Sequence, residues 1–314
     1  MQENTQKKRG LRKYIPQREE YAARYGNRAL TARDFEILAL VHRYRHLESR
    51  HIRALIEGSD QQITRRLQGL FHNEYVRRYV PWRKMRFDLA TGSPVMAYGL
   101  DRKGWEALFE YLSKRAEKNG GGPDPSEWRK EYTRRKEPHL EHHLGISHFH
   151  CILELALREH PGAELWEWDQ STDIRGEVRL TTGKTLRVNP DAYFSINAGG
   201  KLRHCYLEYD RSSEERDRIE EKYVKYWWWL QSPAYREAHQ NHQAVNVLFV
   251  STGEQRTAGM IETLRKMEKP NNAPFGGKGI FWFALDSEYT LEDPSSILKP
   301  LWRSVSRQER QKMI

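Results

Sequence analysis

The sequence lacks the long apolar runs and the paired cysteines that are typical of membrane and secreted proteins. No stretch reaches 18 uninterrupted apolar residues, which a membrane-spanning helix requires. The first residues are polar and charged, where a secretory signal would carry an apolar segment. Only two cysteines, Cys151 and Cys205, occur among 314 residues, so a disulfide framework is not expected. We therefore expect a cytoplasmic protein without a membrane partner.

Acidic residues are scarce in the first part of the chain. Residues 1–136 contain 30 lysines and arginines against 17 acidic residues, whereas residues 137–314 contain 23 against 26. The whole excess of positive charge, a net +10, therefore originates in the first part. A basic domain attracts nucleic acid because its cations displace the counterions of the phosphates. We expect double-stranded DNA to be the partner of this part.

The length and the changes in composition predict two domains with short flanking segments. Basic residues without hydrophobic periodicity indicate a flexible arm over residues 1–27. Helix and strand patterns predict one domain over residues 28–115, and a stretch rich in Gly, Pro and charge predicts a linker over residues 116–138. A mixed α/β domain is expected over residues 139–303, followed by a tail over residues 304–314.

A short amphipathic helix is the sharpest pattern in the first domain. Ser59 and Gln62 form a capping box at its start, and Ile63, Leu67 and Leu70 form one apolar stripe behind it. Side chains that can hydrogen-bond to base edges occupy the other positions of this helix: Gln61, Gln62, Thr64, Arg65 and Gln68.

A basic strand and a basic loop follow this helix. The strand pattern contains Arg77, and the loop behind it contains Arg83, Lys84 and Arg86. Three helices, a basic hairpin and a closing helix resemble a winged helix-turn-helix domain. That resemblance implies that the third helix enters the major groove of DNA and that the hairpin contacts the phosphate backbone. A helical scaffold that binds another protein is the alternative.

Three carboxylates and a lysine occur in a fixed order in the second domain. Asp191 follows Pro190 at the start of a predicted strand. Glu208 and Asp210 are two residues apart on the next predicted strand, so their side chains leave the same face. Lys222 lies on the inward stripe of the following helix, where lysine is uncommon. Converging carboxylates bind hard cations such as Mg²⁺, and such a site most often cuts phosphodiesters.

The same residues resemble the PD-(D/E)XK nuclease superfamily, whose fold is restriction-endonuclease-like. The matching positions are Pro190-Asp191, then Glu208 with Asp210, and finally Lys222. The resemblance implies a mixed-sheet α/β nuclease domain in which Asp191, Glu208 and Asp210 bind Mg²⁺ or Mn²⁺. It also implies that Lys222 activates the attacking water. The sequence departs from the motif at Asp210, which stands where the lysine would fall, and nucleases of this type can carry that lysine on the following helix.

More narrowly, the whole chain resembles the replication-relaxation family of bacterial plasmids and mobile elements. The residues that carry this resemblance are His143-Leu144-Gly145-Ile146, Trp168, Pro190-Asp191, Leu207–Arg211, and Lys222 with Tyr226. The resemblance implies a role in plasmid replication, relaxation or mobilisation, with other replication or mobilisation proteins as partners. A homodimer is a further arrangement to consider.

Two other functions are compatible with the sequence. A non-catalytic transcriptional or replication regulator would bind DNA and keep the nuclease-like fold for structure or dimerisation. A rolling-circle relaxase would use the histidine pair in His148-Phe149-His150 to hold a cation while a tyrosine attacks DNA. That pair precedes a predicted helix, whereas the relaxase motif belongs on a strand.

Overall fold

The structure is a computed structural model that, in the residues it describes, combines helices with three β-sheets. The residues that it describes are 29–79, 95–116, 140–171, 173–211, 216–238, 245–267 and 279–314. The mixed α/β character predicted from the sequence is confirmed. Within the part of the chain that is described, none of the helices combines the length and the apolar character that a membrane crossing requires.

The N-terminal part consists of helices around a small antiparallel sheet. Its elements in chain order are α1 (Ala32–Tyr44), β1 (His46–Glu48), α2 (Ser49–Leu55), α3 (Asp60–His72), β2 (Val76–Tyr79), β3 (Ala97–Leu100) and α4 (Arg102–Ala116). The sheet has the strand order β1-β3-β2. α3 is the predicted amphipathic helix: the Ser59 hydroxyl accepts a hydrogen bond from the Gln62 amide at 3.3 Å, and the apolar stripe is buried.

The C-terminal part is built on a five-stranded sheet. Its elements are α5 (Leu140–Glu159), β4 (Ala163–Asp169), β5 (Gly176–Arg179), β6 (Thr185–Val188), β7 (Ala192–Ala198), β8 (Lys201–Asp210), α6 (Arg216–Gln231), α7 (Pro233–Ala238), β9 (Val245–Ser251), α8 (Glu254–Met267) and β10 (Phe281–Leu285). The strand order is β10-β9-β8-β7-β4, with β8, β9 and β10 parallel and β4, β7 and β8 antiparallel. β5 and β6 form a separate hairpin. β8 therefore lies at the centre, between a parallel and an antiparallel neighbour.

The two faces of β8 serve different purposes because side chains alternate along a strand. Leu207 and Tyr209 pack into the core that contains the apolar residues of α5. Tyr206 points to the other face, where it packs against apolar residues of α6 and α8. Glu208 and Asp210 share that second face with Tyr206. The strand thus presents two buried carboxylates to α6 and α8.

Helix α5 belongs to both parts of the molecule. Its Ser147 hydroxyl donates to the Tyr44 carbonyl at 3.0 Å, and its Glu154 accepts a 2.6 Å hydrogen bond from the buried Tyr44 hydroxyl. Arg158 donates to the Leu55 carbonyl at 3.1 Å, and Cys151 is buried in the N-terminal core. The same helix covers the five-stranded sheet, so it joins the basic N-terminal part to the candidate site.

Candidate active site at the end of strand β8

Asp191 is held in place by backbone and side-chain contacts just before β7. Its own amide donates to the Leu207 carbonyl at 3.0 Å. Its carboxylate accepts from the Tyr209 amide at 2.8 Å and pairs with His142 Nε2 at 2.9 Å. The side chain keeps about a fifth of its surface exposed (21%), so solvent and ligands can reach it. Burial would lower the pKa of His142, but the bond to Asp191 and its charge raise that pKa above the usual value.

Glu208 lies next to Asp191 but is almost fully buried, with 3% of its surface exposed. It accepts hydrogen bonds from Lys222 Nζ at 2.8 Å and from the Tyr226 hydroxyl at 2.6 Å. Burial raises the pKa of Glu208, the Lys222 charge opposes that effect, and the negative charge of Asp191 adds to it. The sequence prediction that Lys222 turns inward towards the carboxylates is therefore matched by the geometry.

Asp210 takes a different partner from the one that the sequence suggested. Its buried carboxylate forms an ion pair with Arg256 Nε in the first turn of α8. Among the described residues, no three His, Cys, Asp or Glu side chains are grouped so that they could hold a metal ion. The predicted cluster of three carboxylates around one cation is therefore not formed. The physical reason is that a buried carboxylate requires a counter-charge, and Arg256 supplies it.

The remaining pair, Asp191 and Glu208, fits a magnesium ion by its chemistry. Asp191 directly precedes β7 and Glu208 lies on the antiparallel neighbour β8, and the charge of each raises the pKa of His142 beside them. Mg²⁺ usually keeps several water ligands and is bound through only one or two carboxylates. Asp191 and Glu208 would be the two protein ligands of such an ion, while Asp210 stays with Arg256.

Sequence reasoning assigned no contact with the three carboxylates to three residues of this site. His142 lies within a run of histidines, and nothing in the spacing indicates that it faces Asp191. Tyr226 follows Lys222 by four residues, so the helical stripe could have indicated that both contact Glu208. Arg256 has no sequence signal, because its contact with Asp210 joins positions 46 residues apart.

The outer face of α3 is open to solvent. Gln61, Gln62 and Arg65 are exposed, and Thr64 and Gln68 are half-buried. A groove of about 470 Å³ runs beside this helix, lined partly by Gln62, Arg65 and Gln68. The side chains proposed to read bases are therefore accessible.

The basic hairpin lies mostly outside the described residues. Arg77, on β2, is exposed and lies 3.4 Å from the Asp101 carboxylate. Arg83, Lys84 and Arg86 fall outside the described residues, so their predicted contact with the phosphate backbone stays a prediction.

The histidine pair that suggested a relaxase is part of helix α5. His150 is fully buried and stacks on Trp168, with ring centroids 3.8 Å apart, and on Tyr44 at 4.2 Å. His148 contacts His51 of the N-terminal part, with 2.9 Å between ring nitrogens. The two histidines thus pack between the two parts of the molecule and do not converge on one ligand.

The comparisons with known proteins assign the family. The family model of replication-relaxation proteins matches residues 38–246, which is about two thirds of the chain and includes Asp191, Glu208, Asp210 and Lys222. Comparisons with curated proteins and with solved structures found no match. The match runs from α1 to β9 and covers the candidate site except Arg256, and on this ground the chain belongs to the replication-relaxation family.

Proposed function

We propose that this protein binds double-stranded DNA through its N-terminal part and nicks it with Mg²⁺ at Asp191 and Glu208. The role suggested by its family is the replication, relaxation or mobilisation of a plasmid or other mobile element. The observation that carries the proposal is the convergence of Asp191, Glu208 and Lys222. Asp191 directly precedes β7, Glu208 lies on β8 and Lys222 lies on α6, and Lys222 Nζ is 2.8 Å from the Glu208 carboxylate.

The order of elements supports the DNA-binding half of the proposal. Three helices with one short strand after the first, then two strands and a closing helix, follow the order of a winged helix-turn-helix domain. In that arrangement α3 would enter the major groove. Arg65 would read guanine, and Gln61 or Gln62 would read adenine. The net positive charge of residues 1–136 would add affinity that does not depend on sequence.

The site geometry supports the nuclease half. A PD-(D/E)XK-like domain places its acids on neighbouring strands of a mixed sheet, and here Glu208 lies on β8 while Asp191 directly precedes the neighbouring strand β7. Mg²⁺ would supply charge neutralisation at the phosphate and a more acidic water. Asp191 and Glu208 would hold the ion. Lys222 would hold the attacking water through the ammonium group that hydrogen-bonds to Glu208 in this structure. Tyr226 fixes Glu208 from the other side through its 2.6 Å hydrogen bond.

A non-catalytic regulator is the second candidate, and one observation favours it. Both carboxylates of β8 are buried and already paired with a cation of the protein: Lys222 for Glu208 and Arg256 for Asp210. Such pairs would serve a purely structural role equally well. A regulator of this kind would bind DNA without cutting it.

A supercoiled plasmid assay separates the two candidates. Purified full-length protein with Mg²⁺ or Mn²⁺ is expected to convert supercoiled plasmid to the nicked form. Asp191→Ala and Lys222→Ala should each abolish the conversion, while Arg33→Ala, in an exposed ion pair of α1, should leave it unchanged. DNA binding by the wild type without any nicking under these conditions would establish the regulator.

A further inference from the structure

The ion pair between Asp210 and Arg256 lies beside the proposed metal site but is separate from it. Asp210 follows Glu208 by two residues on the same face of β8, so their Cα atoms are about 7 Å apart. Asp210 is opposite Ser251, the last residue of β9, and Arg256 follows in the first turn of α8. The pair therefore lies at the carboxyl ends of two parallel strands, next to Glu208.

The guanidinium of Arg256 is only partly satisfied by this pair. Its Nε donates to Asp210, whereas its Nη2 is covered and has no hydrogen-bond acceptor among the described residues. A covered N–H group without an acceptor is unfavourable and uncommon in folded proteins. The Arg256 guanidinium therefore has an N–H group without an acceptor among the described residues, and Asp210 holds this guanidinium beside the candidate nuclease site.

Space for a ligand exists next to the Arg256 side chain. Arg256 lines a pocket of about 290 Å³ between α6 and α8, and a fifth of its side chain is exposed (20%). Lys266 lines the same pocket, as does Glu262, which pairs with Arg265 at 2.8 Å. A Cβ atom added at Gly259, also in the lining, would meet no atom within 4 Å. The pocket can therefore accept an additional group.

We propose that Asp210 is not a metal ligand but the anchor of Arg256, and that Arg256 binds a DNA phosphate adjacent to the one that is cut. This inference rests on the proposed function. Arginine suits the task because its planar guanidinium can hold a carboxylate on one edge and a phosphate on another. Asp210 restricts the rotamers of Arg256, so less freedom is lost when the phosphate binds.

Metal binding tests the role of Asp210. Mn²⁺ alone is titrated calorimetrically into the full-length protein. Asp210→Asn is expected to keep the Mn²⁺ dissociation constant within about twofold of the wild type, whereas Asp191→Asn should weaken it at least tenfold. A loss with Asp210→Asn as large as that with Asp191→Asn would overturn the inference, because Asp210 would then be a ligand.

The salt dependence of DNA binding tests the role of Arg256. The affinity of the full-length protein for a short double-stranded oligonucleotide is measured over a range of salt concentrations in EDTA. Loss of one phosphate contact should reduce the slope of log K against log[salt] by about 0.9 in Arg256→Gln. Arg256→Lys keeps the charge and should keep the slope. An Arg256→Gln variant that retains the full wild-type slope would contradict the phosphate contact.

Three further variants guard against misfolding. Asp210→Asn combined with Arg256→Gln replaces the ion pair by two amides that can hydrogen-bond to each other, and it should show the same reduced slope as Arg256→Gln. Gly259→Glu leaves the pair intact and offers Arg256 a carboxylate from within the pocket, so it should lower DNA affinity more than Gly259→Gln does. Equal affinities for the two Gly259 variants would count against a phosphate in this pocket.

These results distinguish the inference from the proposed function. A wild type that binds DNA, does not bind Mn²⁺ and does not nick would overturn the nuclease proposal. The role of Asp210 beside a metal would then be overturned as well. The salt slope would still decide whether Arg256 contacts phosphate. A wild type that binds no DNA would overturn both.

Discussion

The outer face of α3 and the end of β8 show two opposite ways of presenting polar side chains. On α3, Gln61 and Arg65 are exposed to solvent. At the end of β8, Glu208 and Asp210 are 3% and 4% exposed, and each is paired with a basic side chain, Lys222 or Arg256. Exposed side chains can be exchanged with little effect on the fold. Buried charges must be paired, so the residues of the candidate site also hold the domain together.

This difference in burial determines how substitutions in the two regions should be interpreted. A change on α3 that weakens DNA binding reports on recognition, because the fold does not depend on those side chains. A change at Glu208 alters both the chemistry and the free energy of unfolding. Activity measurements on the β8 residues therefore need a stability measurement on the same variant.

The largest expected effect is the loss of stability in Glu208→Ala. The substitution removes a buried carboxylate and leaves Lys222 Nζ and the Tyr226 hydroxyl without their 2.8 and 2.6 Å acceptor. Breaking a buried pair in this way should lower the free energy of unfolding by about 3 kcal/mol. Urea unfolding followed by circular dichroism measures it.

The matched control is Glu208→Gln, which keeps a carbonyl oxygen for the two donors and should lose clearly less stability. If Glu208→Ala unfolds at the urea concentration of the wild type, then the pairing described at the end of β8 does not support the fold.

The next effect is confined to DNA binding. Arg65→Ala should weaken binding to a specific DNA site by about 1–3 kcal/mol if Arg65 reads a base. Because Arg65 is exposed, the free energy of unfolding should change by less than about 0.5 kcal/mol. Fluorescence anisotropy with labelled duplexes measures the affinity, and Arg102→Ala on α4, also exposed, is the control. Equal losses in both variants would argue against a reading role for α3.

The smallest expected effect is a pH dependence at the junction of the two parts. Burial, followed by the Arg43 charge, lowers the pKa of His150 well below its usual value. The unfolded chain therefore binds a proton at this position below about pH 6.5, whereas the folded protein does not. The free energy of unfolding should consequently fall as the pH drops below that value.

His150→Phe keeps the stacking with Trp168 and removes the titration. Between pH 7 and pH 5.5 the wild type should lose about 1 kcal/mol more than this variant. The comparison isolates His150 from groups such as His142, whose raised pKa acts in the opposite direction. Parallel pH curves for the two proteins would show that His150 is not buried as a neutral ring.

Local patterns predicted much of the fold. The cap at Ser59 and the apolar stripe predicted α3, and the strand patterns around Asp191 and Glu208 predicted two successive strands, which are β7 and β8. The inward stripe also predicted that Lys222 would face the carboxylates. These features depend on residues close together in the chain, where spacing determines which side chains share a face.

Long-range pairing was not predictable in the same way. The three-residue strand β1 depends on its partner β3, about 50 residues later, and has little pattern of its own. Helix α5 was expected to belong to the second domain alone, yet it also packs on Tyr44 and Leu55. Likewise, the pairing of Asp210 with Arg256 follows from the way α8 returns to β8, which spacing along the chain does not encode.

The most direct test of the proposed metal site at Asp191 and Glu208 is the melting temperature with and without Mg²⁺. The negative charge of Asp191 raises the pKa of Glu208, and a cation that binds both carboxylates of the folded protein should remove this repulsion and stabilise the fold. We predict a rise in melting temperature with millimolar Mg²⁺ or Mn²⁺ for the wild type and for Asp210→Asn, but none for Asp191→Asn. Identical responses of the wild type and Asp191→Asn would contradict it and leave Asp191 and Glu208 as structural residues.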